Sequence, residues 1–440
     1  MKTKFIVIVA LVAFSFSGVS QKKWGLKECV DHALENNITI KQNALNVELS
    51  KEDVVQAKGN FLPNLNASTN PGMNFGSSIG QNGARISTDN FRAGFNLSSN
   101  ATIFNGFRNL TAYKQSQLGV ESSKLELKRV QDDISLNVVN GYLNILFAKE
   151  NLTAAKVQYE ISKNQIQKLT NEVDAGVKAK GELLNVESTA AADEQNVVAQ
   201  QNTLDLALLT LAQLLQVSPE GFDIATINVG SPSIATLYNN SDIVYKKAVN
   251  SRPEIIKAQI GVKNAELGIE SAKGRYLPSL SFSAGMGTSY QHAFSFANSY
   301  FFKQVNDNLG YSLGFSLNIP IFNRFQTKSN VNKSIINKEI SEIGLQSEKL
   351  RLKATIERVY LDAKAAAKTY ESAQKSLTSQ TEAFKNAQER YNFGAMTLFD
   401  FDQVRNRLVN AESSLIRAKY DYVFKTKVLK FYYGENILDQ

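Results

Sequence analysis

Two acidic residues occupy equivalent places in two copies of one sequence pattern. Glu182 and Asp400 are 218 residues apart, and each follows a glycine, Gly176 or Gly394, by six residues. In an oligomer, such carboxylates would form a ring that attracts cations and raises the pKa of some of its own members. The alternative is helix capping, because acids favour a first helical turn and Thr397-Leu-Phe-Asp400 has the spacing of a capping box. The residues alone leave both interpretations open.

Catalytic and metal chemistry have few candidate residues in this chain. Its 440 residues include two histidines, His32 and His292, and one cysteine, Cys29. These leave no His/Cys metal site and no intramolecular disulfide, whereas cation sites made of carboxylates alone stay open. The sequence also contains no nucleophile elbow and no phosphate-binding loop. We therefore predict no enzyme activity, no cofactor and no bound metal.

The formal net charge of +8 does not come from a basic patch. Lys and Arg are interspersed with Asp and Glu along presumed helices, as in the stretch 124–133. Mixed charge of this kind is typical of a solvated helix face. We predict no nucleic-acid partner.

The first twenty residues have the pattern of a secretory signal peptide. Lys2 and Lys4 precede an apolar run at 5–14, which gives way to small residues up to Ser20. The apolar run is shorter than the roughly 20 residues of a spanning helix. We predict a signal peptide at 1–20 and export of the chain, without a lipid anchor because no cysteine stands at the cleavage site.

The remaining sequence consists of two copies of one pattern. Residues 57–63, Ala-Lys-Gly-Asn-Phe-Leu-Pro, match residues 272–278, Ala-Lys-Gly-Arg-Tyr-Leu-Pro. Further on, Ile-Phe-Asn-Gly-Phe at 103–107 matches Ile-Phe-Asn-Arg-Phe at 321–325. We predict a first repeat at 21–230 and a second at 231–440.

Each repeat contains a stretch in which apolar and polar residues alternate. Tyr311, Leu313, Phe315 and Leu317 alternate with serine, glycine and asparagine, and the stretch from Phe91 behaves likewise. Strict alternation over about ten residues is typical of a strand between two different solvents. We predict transmembrane β-hairpins at about 61–105 and about 276–323 rather than an ordinary soluble sandwich. The loop of the second hairpin is aromatic, and its rings either form an interfacial girdle or pack the loop: Tyr290, Phe294, Phe296, Tyr300, Phe301 and Phe302.

Long helices account for most of each repeat. A first helical segment is predicted at about 27–60, with its counterpart at 241–275. After each strand pair, apolar residues recur every three, four and seven positions with no proline. This pattern predicts antiparallel helical hairpins at 107–215 and 325–433, with tips at Gly176 and Gly394.

Four strands are too few to close a barrel. Closed bacterial barrels start at about eight strands, and an open edge in lipid leaves backbone groups without partners. We therefore expect strands to be pooled between copies of the chain, two copies giving eight and three giving twelve.

The order of these elements resembles the TolC-type outer membrane efflux proteins. The most specific matching stretches are 24–37, which opens Trp-Gly-Leu-Lys-Glu-Cys, and 391–400, Tyr-Asn-Phe-Gly-Ala-Met-Thr-Leu-Phe-Asp. The resemblance implies an α+β membrane protein in the outer membrane of a Gram-negative cell, a homotrimer with a twelve-stranded barrel and a periplasmic α-helical barrel. It also implies a passive efflux or type I secretion conduit that works with a periplasmic adaptor and an inner-membrane pump.

One other function class uses long helical hairpins, namely periplasmic adaptors or scaffolds. Such proteins lack paired ten-residue amphipathic strands, so this class is the alternative and not the main prediction.

The resemblance also assigns residues to a gate and to docking tips. It places Glu182 and Asp400 at a periplasmic entrance, with a second gate position at Gln403 and Asp402 beside it. Met396 stands where family members carry an arginine that helps to latch the entrance, so we do not carry over that ion pair. The residues implied to meet the adaptor are Ala175, Gly176, Val177, Phe393, Gly394 and Ala395.

Overall fold

The computed structural model describes residues 23–81, 83–227, 240–295 and 297–435. The predicted signal peptide at 1–20 and the predicted boundary between the repeats at 230/231 lie outside these residues. The strands are β1 (Lys23–Trp24), β2 (Asn66–Asn74), β3 (Ser77–Ile79), β4 (Arg85–Ser87), β5 (Asn90–Phe104), β6 (Asp223–Ile224), β7 (Ser279–Ala293) and β8 (Gly310–Asn318). The helices are α1 (Leu26–Asn36), α2 (Ile38–Gly59), α3 (Arg108–Asp174), α4 (Lys180–Leu215), α5 (Ser241–Ser251), α6 (Pro253–Lys273), α7 (Phe301–Asp307), α8 (Gln326–Asn392) and α9 (Leu398–Tyr433).

Two compact units are present, and neither coincides with a predicted repeat. Among the described residues, one unit contains 23–43, 127–255 and 349–435. The other contains Ala44–Glu126 and Ile256–Glu348. Each unit draws on both repeats because strands of the two copies share one sheet, and helices of the two copies pack side by side.

The long helices have equal lengths in the two halves of the chain. Helices α3 and α8 each have 67 residues, and α4 and α9 each have 36. Apolar residues at helical spacing pack α3 against α4, with Tyr142, Ile145 and Leu211 completely buried. Close approach needs small residues: a Cβ at Gly141 would stand 3.3 Å from the Leu211 side chain. No helix in the described part of the chain is both long and apolar enough to cross a bilayer.

The first helical segment of each half is two helices, and not one as predicted. The first breaks at Asn37, whose side chain donates to the Leu214 carbonyl and accepts from the Thr39 N–H. The second breaks at Arg252, because the following Pro253 disfavours a helical residue before it. The buried Arg252 side chain lies 3.3 Å from an Asp132 oxygen. Its guanidinium also stacks over the Phe431 ring at 4.5 Å.

One antiparallel sheet contains the four long strands in the order β2-β5-β7-β8. In the first hairpin β2 ends at Asn74 and β5 begins at Asn90, and in the second β7 ends at Ala293 and β8 begins at Gly310. Pro71 is tolerated within β2 because that strand lies at an edge of the sheet. The first loop contains the small β3–β4 hairpin, and the second contains α7.

Two glycines permit a backbone contact within the unit that holds this sheet. Gly106 has φ +68°, and a Cβ there would lie 2.0 Å from the Gly274 carbonyl oxygen. A Cβ at Gly274 would lie 2.2 Å from the Gly106 carbonyl oxygen in return. Only glycine at both positions allows the chain leaving β5 to contact the chain leaving α6.

Candidate functional site

Both helical tips end in the same hydrogen-bonded motif. The Gly176 N–H donates to the Val173 carbonyl at 2.9 Å, and the Val177 N–H donates to the Glu172 carbonyl at 2.9 Å. Gly394 and Ala395 repeat these two bonds in the second tip, at 3.0 and 2.8 Å. This is the Schellman ending, whose glycine has positive φ, here +74° and +70°. The tips therefore have a defined backbone conformation.

The tips also present apolar side chains to solvent. Val177 is 72% exposed and Phe393 is 87% exposed. Ala175 and Ala395 beside the two glycines are exposed as well. An exposed phenylalanine at a helix end makes no contribution to the core of this chain and is available for a partner.

Glu182 lies in the first turn of α4 and pairs with a lysine. Its Oε2 is 3.1 Å from Lys178 Nζ, and the hydrogen bond raises the pKa of that lysine. Lys178 Nζ also stands 5.7 Å from the centre of the Tyr391 ring. The N-cap residue of α4, Ala179, makes no side-chain cap. Glu182 is therefore half of a local ion pair and does not complete a capping box.

Asp400 lies in the first turn of α9 and does take part in a cap. The Thr397 hydroxyl oxygen accepts from the Asp400 N–H at 3.1 Å, and the hydroxyl donates to Asp400 Oδ2 at 2.7 Å. The Asp400 side chain remains exposed. The capping geometry is thus present, and the carboxylate still faces solvent, where it can act on ions.

Gln403 lies one turn beyond Asp400, and the two line one groove. The groove has a volume of about 600 Å³ and includes Met396 and two exposed arginines, Arg390 and Arg407. The structure therefore brings Asp400 and Gln403 together. Asp402 lies on a different side of the helix and does not line this groove.

Asp402 instead contacts a buried arginine that sequence reasoning missed. Arg405 is 2% exposed, and its Nη2 is 3.5 Å from Asp402 Oδ1 and 3.9 Å from Asp193 Oδ2. Its Nη1 donates to Ser162 Oγ at 3.0 Å, and the Ser162 hydroxyl donates to Asp193 at 2.5 Å. When the Gln158 amide is oriented so that its oxygen faces Arg405, that oxygen accepts from the same guanidinium. We call these residues the Arg405 cluster.

The Arg405 cluster joins three helices. Gln158 and Ser162 belong to α3, Asp193 to α4, and Asp402 and Arg405 to α9. Burial raises the pKa of Asp402, Arg405 opposes that rise, and Asp193 adds to it. A sequence signal did exist: Arg405 interrupts the apolar stripe of Phe401, Val404 and Leu408.

Glu412 provides a prediction about pH. It is half-buried on α9, lines a mostly apolar groove, and burial raises its pKa. A raised folded-state pKa favours the protonated acid, so the ionised form lowers stability above that pKa. Glu412→Gln should raise the thermal unfolding midpoint at pH 8. The gain should stay within about 1 kcal/mol because solvent screens a half-exposed group.

The same gain should vanish at about pH 4, near the pKa of a glutamate in the unfolded chain, because Glu412 is then protonated in the folded protein. Circular dichroism of the detergent-solubilised protein measures both midpoints. Glu382→Gln, at an exposed site of α8, is the matched control and should shift neither midpoint. A gain of equal size at both pH values would contradict this account.

The described residues offer neither a cluster of metal ligands nor a reactive thiol. They contain no group of three or more His, Cys, Asp and Glu side chains that could hold a metal ion. Burial raises the pKa of the Cys29 thiol to about 12, so the reactive thiolate is absent near neutral pH.

The chain is similar in sequence and in fold to known outer membrane proteins. The outer membrane protein TolC of Escherichia coli (strain K12) is 22% identical over 435 residues, which cover 98% of this chain and 86% of that protein. The pyoverdine export outer membrane protein OpmQ of Pseudomonas aeruginosa is 22% identical over 411 residues, covering 90% and 81%. The crystal structure of the outer membrane protein VceC from Vibrio cholerae matches with a TM-score of 0.76 at 15% identity, covering 94% of this chain and 96% of that one.

A family model described as "Outer membrane efflux protein" matches residues 29–216 and 244–435. The match takes in both helical hairpins, both strand pairs and both tips. The chain belongs to the outer membrane efflux protein family.

Proposed function

We propose that the chain is the outer membrane channel subunit of a tripartite efflux or type I secretion system. It would be a passive conduit, and not an enzyme, with the driving energy supplied by an inner-membrane pump through a periplasmic adaptor. Family membership supports efflux across the outer membrane, and the name of the relative from Pseudomonas aeruginosa supports export as the direction of transport.

The observation that carries the proposal is a sheet with two unlike faces. Strand pairing puts one set of side chains on a mostly apolar face: Ala67, Thr69, Met73, Phe91, Ala93, Phe95, Leu97, Leu280, Phe282, Ala284, Met286, Tyr311, Leu313, Phe315 and Leu317. The polar residues Ser99, Thr288 and His292 share this face. The other face is built of small polar residues and glycine: Ser68, Asn70, Asn74, Gly94, Asn96, Ser98, Asn100, Ser281, Ser283, Gly285, Ser312, Gly314 and Ser316. An apolar outer face and a wet inner face are what a membrane barrel needs.

The two edges of the sheet support assembly with further copies. Strands β2 and β8 each pair on one side only within the described chain. In a bilayer, their free backbone groups would have no water to bind, which costs several kcal/mol for each group. Because the four strands alternate in direction, β8 of one copy would meet β2 of the next in antiparallel fashion. Three copies would close a twelve-stranded barrel and pool their helical hairpins into a helical barrel.

The tips and the nearby polar residues supply the proposed gate and docking site. Asp400 and Gln403, with Glu182 on the other hairpin, would face the periplasmic entrance, and Asp402 would support α9 behind them. The exposed Val177 and Phe393, carried on rigid Schellman endings, would contact the adaptor together with Ala175, Gly176, Gly394 and Ala395.

Disulfide cross-linking tests the assembly. In a Cys29→Ser background, we expect Thr69→Cys on β2 to cross-link with one member of the series Leu313→Cys, Phe315→Cys and Leu317→Cys on β8. Opposed residues in antiparallel strands lie about 4.5–5.5 Å apart between Cα atoms, within reach of a disulfide. Oxidation should then give a ladder that ends at a covalent trimer on a denaturing gel.

The control uses the other face of the same strand. Ser312→Cys, Gly314→Cys and Ser316→Cys point to the opposite side from Thr69, so they should remain monomeric. Light scattering of the detergent-solubilised particle, corrected for bound detergent, should give three chains. A stable monomer with no cross-link in any pair would overturn the proposal and favour a periplasmic scaffold.

A further inference from the structure

Strand β7 is longer than the strand that covers its outer edge. Strand β8 begins at Gly310, opposite Gly287, whereas β7 continues to Ala293. Residues 288–293 of β7 therefore extend beyond β8, with β5 pairing only on their other side. An exposed strand edge of this kind can bind water in solution but has no partner in lipid.

Side chains and carbonyls of the following loop take the place of the missing strand. The Gln291 N–H donates to Gln304 Oε1 at 3.0 Å, and Gln304 Nε2 donates to the Gln291 carbonyl at 2.9 Å. Asn308 Nδ2 donates to the Ser289 carbonyl at 2.7 Å. The Thr288 hydroxyl donates to the Val305 carbonyl at 2.6 Å. The amide of Gln304 thus reproduces the two bonds that a neighbouring strand residue would have made.

These bonds hold α7 against the apolar face of the sheet. The Phe301 ring lies 5.0 Å from Tyr290 and 6.3 Å from Phe95, measured between ring centres. Phe95 and Tyr290 occupy the same face as Leu313 and Phe315, as strand pairing requires. Helix α7 is therefore on the side of the sheet that the proposed function assigns to lipid.

Two aromatic residues of this segment face outward. Tyr300 is 88% exposed and Phe302 is 83% exposed, whereas their neighbour Phe301 packs on the sheet. Aromatic rings at the end of an apolar sheet face are typical of the membrane–water interface. The sequence left open whether the loop's rings pack the loop or form a girdle, and the structure assigns Phe301 to the first role.

We propose that Tyr300–Asp307 is an interfacial anchor, in which Tyr300 and Phe302 insert into the outer leaflet of the membrane and contact lipid. We call this segment the lipid anchor. The proposal rests on the proposed membrane location of the sheet. Two observations favour lipid over water as its surroundings. The segment adjoins the apolar face of the sheet, and its side chains already bind the backbone groups at the free edge of β7, which then need no water. Lys303 and Asp307 are also exposed on this helix, and their charged ends can reach the headgroup layer while the rings contact the acyl chains.

Tryptophan fluorescence in vesicles tests the lipid anchor. Trp24 is the chain's single tryptophan, so Trp24→Phe gives a parent protein without tryptophan fluorescence. Phe302→Trp is then reconstituted in phosphatidylcholine vesicles with or without bromine on the acyl chains. Brominated lipid should lower the emission by about twofold, as expected for a ring at the acyl-chain boundary. Aqueous acrylamide should quench it weakly.

Two further variants make the possible failures distinguishable. Phe315→Trp reports the lipid face of the sheet, and Ser312→Trp reports the polar face. If Phe315→Trp is quenched by bromine while Phe302→Trp behaves like Ser312→Trp, the lipid anchor is wrong and the membrane sheet stands. If neither bromine nor acrylamide quenches Phe302→Trp, the segment is buried against protein, which also overturns the anchor. If Phe315→Trp itself escapes bromine, the proposed function fails.

Discussion

Replacing Arg405 by methionine is expected to destabilise the unit that contains the Arg405 cluster by about 3–5 kcal/mol, the usual effect of removing one partner from a buried ion pair. The Arg405 side chain is almost completely buried, and Asp193 and Asp402 beside it are mostly buried. Methionine fills the space but leaves both carboxylates without a cation. The thermal unfolding midpoint of the solubilised protein should fall accordingly, and amides of α4 and α9 near the cluster should exchange faster with deuterated solvent.

The pH dependence of this effect follows from Asp402. Burial raises the pKa of that carboxyl even with Arg405 present, so removal of the guanidinium can only raise it further. Below that pKa the acid is neutral and no longer needs a cation. The destabilisation by Arg405→Met should therefore be largest above neutral pH and should shrink as the pH falls through the Asp402 pKa.

Three variants control this prediction. Arg405→Lys keeps the charge but loses the planar guanidinium that reaches Ser162 and Asp402 together. Its unfolding midpoint should therefore lie between those of Arg405→Met and the parent. Adding Asp193→Asn and Asp402→Asn to Arg405→Met removes the stranded charges and should recover more. Arg407→Met, two residues on and exposed, should stay within about 0.5 kcal/mol of the parent. A triple variant no more stable than Arg405→Met would show that stranded charge is not the cause.

Local patterns in the sequence predicted the helices and strands well. Proline-free periodic stretches ending in Gly176 and Gly394 predicted long helices, and the observed ones end within a few residues of the predicted places. The alternation around Phe95 and Phe315 predicted strands because a period of two needs only neighbouring residues. Breaks at Asn37 and Arg252 were missed, since a single side chain or a following proline interrupts the helix without disturbing its apolar pattern.

Interactions between distant residues were beyond the reach of sequence reasoning. Arg405 and Ser162 are 243 positions apart, and nothing local shows that α3 and α9 meet there. The bonds of Gln304 to Gln291 likewise depend on β8 covering only part of β7, because β8 begins opposite Gly287 and β7 continues to Ala293. In the candidate gate, the sequence identified the acids by their offset but could not show that Lys178 pairs with Glu182 or that Asp402 turns toward Arg405.

The proposed gate leads to the second large prediction, which concerns block of the reconstituted channel by a trivalent cation. Asp400 and Glu182 are equivalent in the two repeats, but their surroundings differ. Lys178 Nζ lies 3.1 Å from Glu182 and offsets its charge directly. The exposed Asp400 carboxylate accepts a hydroxyl hydrogen bond at its cap, and Arg390 and Arg407 share its groove without forming an ion pair with it in the described structure. In a trimer, the three Asp400 carboxylates would therefore dominate the negative potential of the ring.

Asp400→Asn should weaken trivalent cation block by about tenfold, because it removes three carboxylates at once from a confined entrance. Glu182→Gln should have a smaller effect, since it also leaves Lys178 unpaired. Lys178→Met should strengthen block, because it restores the full charge of Glu182. Block constants from planar bilayers, measured with the cation on the side of the helical tips, test all three.

Asparagine at position 400 can still accept a hydrogen bond from Thr397, so the cap should survive and the variant should fold. Glu382→Gln removes an exposed acid of α8, twelve residues before the tip glycine Gly394, and should leave block unchanged. The difference in block constant between Asp400→Asn and the parent should shrink at high salt, because the Debye length falls to about 3 Å at 1 M. Block that is unchanged in Asp400→Asn, or weakened equally by Glu382→Gln, would restrict Asp400 to its role in the helix cap.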